Sequence, residues 1–178
     1  MKSFEYAAPD SVKEATALLE GTWGKTEVLA GGTDLVTCLK QHLTAPERVV
    51  SLKNIKELRG IRNEKAGLRI GAMTTLAHLA GHKTVQAQFP ALVTAVRGIG
   101  SPQLINVGTV GGDLCQRPRC WYFRNGFGLF GEVGGESLVR AGDNRYHAIF
   151  GTADRSRPLN LQPTALFVSA SSLGPPLM

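Results

Sequence analysis

The chain has 178 residues, 43% of them hydrophobic and 19% charged, which predicts a soluble globular protein with one sizeable core or two small lobes. No apolar run approaches the ~20 residues that span a bilayer, and the opening Met1–Tyr6 lacks the apolar region of a signal peptide, so we expect a cytoplasmic location and no membrane contact. The net charge of +6 comes without a helix-turn-helix, zinc-finger or RNA-binding signature, and the basic residues are spread from Lys2 to Arg157, so no nucleic-acid partner is expected.

The first third of the chain predicts helices and strands in alternation. Ser11 and Glu14 have the spacing of a capping box, and apolar residues at helical spacing follow until Gly21 ends the element. The expected elements after this helix are a strand over 27–30, a helix over 35–43 and a strand over 48–52.

The first of two glycine loops follows the strand over 27–30 and reads Ala30-Gly31-Gly32-Thr33-Asp34-Leu35. A Gly-Gly pair lets backbone N–H groups approach an anion without a Cβ in between, and the Thr33 hydroxyl can add a donor. The next helix would begin beside this loop and add its dipole and its own N–H groups. The sequence therefore favours a phosphate site here, with a tight turn as the alternative.

Further elements are expected between this loop and the second one. They are a hairpin with strands over 58–62 and 68–72, a helix from Thr74 or Thr75, and a helix over 90–96 with Pro90 in its first turn. A second lobe is expected to begin near residue 58. The Gly-rich stretch 98–106 is expected to be a loop, either a connector or a wall of a ligand site.

The second glycine loop is Gly108-Thr109-Val110-Gly111-Gly112-Asp113-Leu114. A dinucleotide has two adjacent phosphates and needs hydrogen-bond donors from both sides. Two such loops in one chain therefore predict a pyrophosphate held between two lobes. Neither loop has the G-x-G-x-x-G spacing that opens a Rossmann dinucleotide-binding unit.

The two loops carry a resemblance, together with the strings Ile70-Gly71-Ala72-Met73-Thr74-Thr75-Leu76 and Ile105-Asn106-Val107. In this order they resemble the FAD-binding subunit of molybdenum hydroxylases, the family of xanthine dehydrogenases, carbon monoxide dehydrogenases and aldehyde oxidoreductases, from Phe4 to about Gly151. The resemblance implies an α+β FAD-binding fold with two lobes (PCMH-type) and no Rossmann domain. The first lobe would cover residues 1–57, and the second residues 58–178, incomplete at its C-terminal end.

The resemblance also implies which residues would hold the flavin, with none of them catalytic. Asn160 stands where the family has an aspartate that helps to bind the flavin, and asparagine keeps an acceptor but loses the charge. The other implied cofactor-binding residues are Leu29, Ala30, Gly31, Gly32, Thr33, Asp34 and Leu35 on one side of the pyrophosphate and Asn106, Thr109, Gly111, Gly112 and Asp113 on the other.

The implied function is that of an FAD-binding electron-transfer subunit in a molybdenum-dependent hydroxylase of the xanthine dehydrogenase or aldehyde oxidoreductase type. Electrons would come from the [2Fe-2S] clusters of an iron–sulfur subunit, after substrate oxidation on a large molybdopterin-binding subunit, and would leave through FAD to an acceptor. The isolated chain would be inactive. The alternatives are a non-catalytic assembly subunit that has lost FAD and, in another class, a basic nucleic-acid-binding domain.

Two stretches depart from the family pattern. The string from Cys115 to Arg124 is similar to a sub-branch whose inserted loop carries a [4Fe-4S] cluster, but residues 121–143 contain no cysteine. Such a cluster needs four thiolates and the chain has three cysteines, so the cluster is expected to be absent. Relatives also continue beyond the position of Met178, with a strand-rich stretch and a C-terminal domain. A truncated chain, a frameshifted gene and a degenerate subunit all fit this difference.

Overall fold

The structure is a computed structural model that describes residues 1–117, 121–127, 132–138 and residue 142. The chain divides into a first unit, 1–112, and a second unit, 113–178. The expected lobe boundary near residue 58 lies inside the first unit and stays a prediction. Short helices and small sheets together confirm the expected α+β class. Up to residue 114 the elements are β1 (Glu5–Ala7), α1 (Val12–Ala17), β2 (Thr26–Leu29), α2 (Leu35–Lys40), β3 (Arg48–Ser51), β4 (Ile61–Glu64), β5 (Gly67–Ile70), α3 (Leu76–Gly81), α4 (Lys83–Gln88), α5 (Pro90–Arg97), α6 (Pro102–Val107) and α7 (Val110–Leu114).

A three-stranded parallel sheet begins the fold, with β3 between β1 and β2. The sequence of β3 suits this central place, since Val49 and Val50 are buried and the small Ser51 is buried beside them. One face of the sheet packs against α1 through a cluster of Ala15, Val50 and Ile55. This arrangement fixes the end of β2, and with it the start of the first glycine loop.

Local hydrogen bonds explain where α1 begins and how it meets the sheet. The Glu14 N–H donates to Ser11 Oγ at 3.2 Å, which confirms the predicted cap, although the Glu14 carboxylate accepts from the Asp10 N–H rather than from Ser11. At the other end of α1, the Arg48 guanidinium donates to the Leu18 carbonyl at 3.2 Å and pairs with Glu5 at 2.9 Å. The hydrogen bond to Glu5, and then the charge of that carboxylate, raise the pKa of Arg48.

A second hydrophobic cluster lies under α3, α4 and α5. Its buried members are Leu76, Leu79, Val85, Val93 and Val96, and the β4–β5 hairpin covers it through Ile61, Leu68 and Ile70. The hairpin confirms the sequence prediction, but β4 begins at Ile61 rather than at residue 58, because Lys56–Leu58 forms a single 3-10 turn.

The stretch 98–106, predicted as a loop, contains helix α6, so that prediction is wrong. The Leu104 N–H donates to Ser101 Oγ at 3.4 Å, and Pro102 takes the first helical position, where its missing N–H costs nothing. The sequence analysis also did not predict helix α4 or strand β1.

The described part of the second unit contains α8 (Trp121–Arg124) and a short antiparallel pair, β6 (Glu132–Val133) and β7 (Glu136–Ser137). Phe123 is buried, and the Arg124 guanidinium lies over its ring at 5.5 Å from the centroid. Across the described ranges, every helix is too short or too polar to cross a lipid bilayer.

Candidate functional site

The first glycine loop connects β2 to α2, and its backbone needs glycine at one position. Gly32 has φ of +87°, a region that side-chain-bearing residues rarely adopt, and a Cβ there would lie 3.2 Å from both Leu29 Cδ1 and Val36 Cγ2. The Gly32 carbonyl accepts from the Val36 N–H at 3.0 Å, which sets the first turn of α2. Gly32 thus turns the chain sharply from strand into helix.

The two glycine loops meet within the first unit, although they are far apart in sequence. A Cβ on Gly31 would collide with the Val107 carbonyl oxygen and lie 3.1 Å from Gly108 Cα. A Cβ on Gly112 would lie 3.7 Å from Ala30 Cβ. The sequence predicted that these loops act together, and the missing side chain at Gly31 is what allows their backbones to approach so closely.

The first loop presents unused hydrogen-bond donors. Among the described residues, the backbone N–H groups of Gly31, Gly32 and Thr33 have no acceptor, and all three residues are only partly buried. Three adjacent N–H groups in one turn form a concave donor surface of the kind that binds phosphate oxygens. The donor set therefore fits a pyrophosphate.

The second glycine loop is helical over most of its length, since α7 covers Val110–Leu114, so the loop prediction is wrong there. Two of its backbone N–H groups donate hydrogen bonds that attach the loop to the segment before α3. The Val110 N–H donates to the Thr74 carbonyl at 2.9 Å, and the Gly111 N–H donates to the Ala72 carbonyl at 2.8 Å. A Cβ on Gly111 would lie 2.8 Å from Ala72 Cβ, so glycine is needed for this close packing.

Thr109 starts this helix from a buried position. Its side chain is nearly inaccessible, and Oγ1 accepts from the Gly112 N–H at 3.1 Å. This is the bond that a helix cap makes, so the hydroxyl group has a role within the loop. Its predicted role as a donor to the cofactor stays a prediction.

We expect Thr109→Val to destabilise the protein, because it leaves the Gly112 N–H without its acceptor. The cost should be about 1–2 kcal/mol in the free energy of unfolding, measured by urea denaturation. Thr109→Ser keeps the hydroxyl group and should recover most of that loss. If valine and serine variants are equally stable, the cap contributes nothing.

The remaining predicted residues flank or belong to the glycine loops in the sequence, or lie outside the described residues. Leu29 and Leu35 are partly buried on either side of the first loop, Asn106 is exposed in α6, and Asp113 lies in α7 as the first residue of the second unit. Asn160 is outside the described residues. The sequence prediction assigned no role to Ala72 and Thr74. The available signals for these two residues were the small side chain at position 72 and the string 70–76 that contains both residues.

The cysteines give no sign of a metal centre in the described ranges. Cys38 is fully buried in α2, Cys115 is exposed, and Cys120 lies outside the described residues. No group of three or more histidine, cysteine, aspartate or glutamate side chains converges in the part of the chain that the structure describes. The expected absence of a [4Fe-4S] cluster remains a prediction.

Comparisons with known proteins identify relatives of this arrangement. The family model for the FAD binding domain in molybdopterin dehydrogenase matches residues 2–120, which include both glycine loops. The chain is 44% identical over 111 residues to the carbon monoxide dehydrogenase medium chain of Hydrogenophaga pseudoflava, covering 62% of this chain and 39% of the relative. It is 38% identical over 115 residues to the nicotinate dehydrogenase FAD-subunit of Eubacterium barkeri, covering 64% and 39%.

A solved structure is similar over the same region. Quinoline 2-oxidoreductase from Pseudomonas putida 86 superimposes with a TM-score of 0.61 at 30% identity, covering 66% of this chain and 41% of that one. The chain spans about two fifths of the length of the curated relatives that it matches.

Proposed function

Because the chain belongs to the family of FAD binding domains in molybdopterin dehydrogenases, we propose that it binds FAD as part of the flavin subunit of a molybdenum-dependent hydroxylase or dehydrogenase. The observation that carries this proposal is the pairing of the two loops at Gly31, with three N–H donors on the adjoining turn. A pyrophosphate needs such donors, and no residue of the first loop has to move a side chain to supply them.

The described residues would divide the work of holding the cofactor. Gly31, Gly32 and Thr33 would donate to the pyrophosphate, and Leu29 and Leu35 would flank them. The second loop, through Gly112 beside Ala30, would support the first loop from behind. The resemblance implies Asn106, Asp113 and Asn160 as further cofactor-binding residues.

When bound, FAD supplies the redox chemistry, taking electrons from the [2Fe-2S] clusters of an iron–sulfur subunit and passing them to an acceptor. The given sequence has three cysteines, fewer than the four thiolates of one such cluster, so in this proposal the clusters belong to a partner. The substrate would be oxidised on a third, molybdopterin-binding subunit. This chain would then bind, orient and shield the flavin, with no side chain acting as an acid or base.

The cofactor content of the purified chain tests this proposal. We expect the protein to retain FAD, or to bind added FAD through gel filtration, with the visible absorption of a flavin and without stoichiometric iron. A colourless protein that does not take up added FAD would contradict the proposal and favour an assembly subunit that has lost its cofactor. Stoichiometric iron and sulfide would contradict the expected absence of a [4Fe-4S] cluster.

A further inference from the structure

The β4–β5 hairpin has one apolar face and one strongly charged face. Ile61 pairs with Ile70, and these side chains pack on the second hydrophobic cluster. Arg62 pairs directly with Arg69, and because side chains alternate along a strand, both arginines lie on the opposite, exposed face. Two arginines therefore lie directly opposite each other on the exposed face of the hairpin.

This pair of arginines works against the stability of the hairpin. Like charges directly opposite each other on neighbouring strands repel, whereas opposite charges there would attract. Arg69 has a carboxylate nearby, Glu64 at 3.5 Å, but its side chain is still 74% exposed. Arg62 forms no ion pair with any described residue. Folding alone gives no reason for two arginines at these positions.

Positive charge is concentrated around the hairpin. Residues 53–69 contain six basic and two acidic side chains, a net charge of +4, while the whole chain carries +6. Arg59 donates to the Lys53 carbonyl, which holds the chain before β4 close to that arginine. Clustered guanidinium groups bind carboxylate pairs well, because each can donate two parallel hydrogen bonds.

We propose that the exposed face of the β4–β5 hairpin that carries Arg62 and Arg69, with Lys65 in the adjoining turn, is a docking surface for a cluster of carboxylates on a partner protein. Residues 53–69 contain no aromatic side chain on which a base could stack. Carboxylates on a protein therefore fit this face better than a single-stranded nucleic acid, which is bound by stacking as well as by charge. The proposal rests on the proposed function, which requires partner subunits.

The Arg62→Glu variant separates an effect on docking from an effect on folding. The new carboxylate attracts Arg69, so it should stabilise the hairpin while it weakens the binding of carboxylates. We expect this variant to melt at a higher temperature than the wild type and to bind a fluorescent poly-L-glutamate about tenfold more weakly at low salt. Lys13→Glu is the matched control, since it makes the same charge change at an exposed residue of α1 and should weaken binding less than about twofold. Arg62→Glu with Arg69→Glu restores a like-charge pair and should bind weakest.

Three results would overturn the proposal. They are an equal loss of binding in the Arg62→Glu and Lys13→Glu variants, no loss in either, and tighter binding of a DNA duplex than of poly-L-glutamate through the same arginines. The FAD content of each variant is measured in parallel. An unchanged FAD content with weaker poly-L-glutamate binding supports docking, whereas absence of FAD from every sample, including wild type, counts against the proposed function instead.

Discussion

Gly31→Ala is expected to weaken FAD binding about thirtyfold, because the new Cβ would collide with the Val107 carbonyl oxygen. The Val107 oxygen belongs to the backbone, and the new Cβ is fixed to the backbone at residue 31, so the clash cannot be relieved without shifting one of the two segments. Overpacking of this kind typically costs 1–3 kcal/mol, and about 2 kcal/mol corresponds to that change in affinity. Flavin fluorescence during titration with FAD gives the dissociation constant, and the thermal midpoint is measured on the same samples.

Gly21→Ala is the matched control, since a Cβ at Gly21 meets no atom within 4 Å. It should bind FAD as the wild type does. Comparing the two variants below both melting temperatures separates loss of the site from loss of the fold. Wild-type affinity in the Gly31→Ala variant would show that the contact between the loops is not needed for flavin binding.

The isolated, FAD-loaded chain is expected to keep its flavin oxidised when hypoxanthine, an aldehyde, nicotinate or carbon monoxide is added anaerobically. With three cysteines it cannot complete a [2Fe-2S] cluster from its own thiolates, so it has no route from such a substrate to the flavin. Adding a pre-reduced [2Fe-2S] subunit of the same complex, freed of reductant by gel filtration, should bleach the flavin absorption.

The same partner with oxidised clusters is the control and should leave the absorption unchanged. Bleaching of the isolated chain by any of the four substrates would contradict the division of labour between subunits. So would an oxidised flavin in a complex whose partner is shown to be bound and reduced.

Elements with strong local signals were predicted well from the sequence. Helix α1 has its cap at Ser11, and β3 contains the β-branched pair Val49–Val50, so both have local signals in the sequence. Helix α7 shows the opposite case. Gly111 and Gly112 are poor helix formers, each costing about 1 kcal/mol relative to alanine, and their helix forms because Thr109 caps it and Ala72 packs against it. Tertiary contacts of this kind are not visible in local sequence.

The internal division of the candidate site could not be predicted from the sequence. Both glycine loops were assigned the same task, that of donating N–H groups to a phosphate. In the structure the N–H groups of Val110, Gly111 and Gly112 already have acceptors, while those of Gly31 and Gly32 have none among the residues that the structure describes. Two similar glycine strings thus differ in how many unused N–H donors their backbones have. This difference depends on the long-range acceptors at Ala72 and Thr74, which the local sequence does not show.

The central place of β3 has a consequence for synthesis on the ribosome. In the part of the chain that the structure describes, β1 and β2 pair with β3 and not with each other, and β3 is the last of the three to be translated. At about 5–20 residues per second, several seconds separate the emergence of Glu5 from that of Arg48. During that interval neither β1 nor β2 has a strand to pair with among the described residues, so this sheet cannot form before Arg48–Ser51 has emerged.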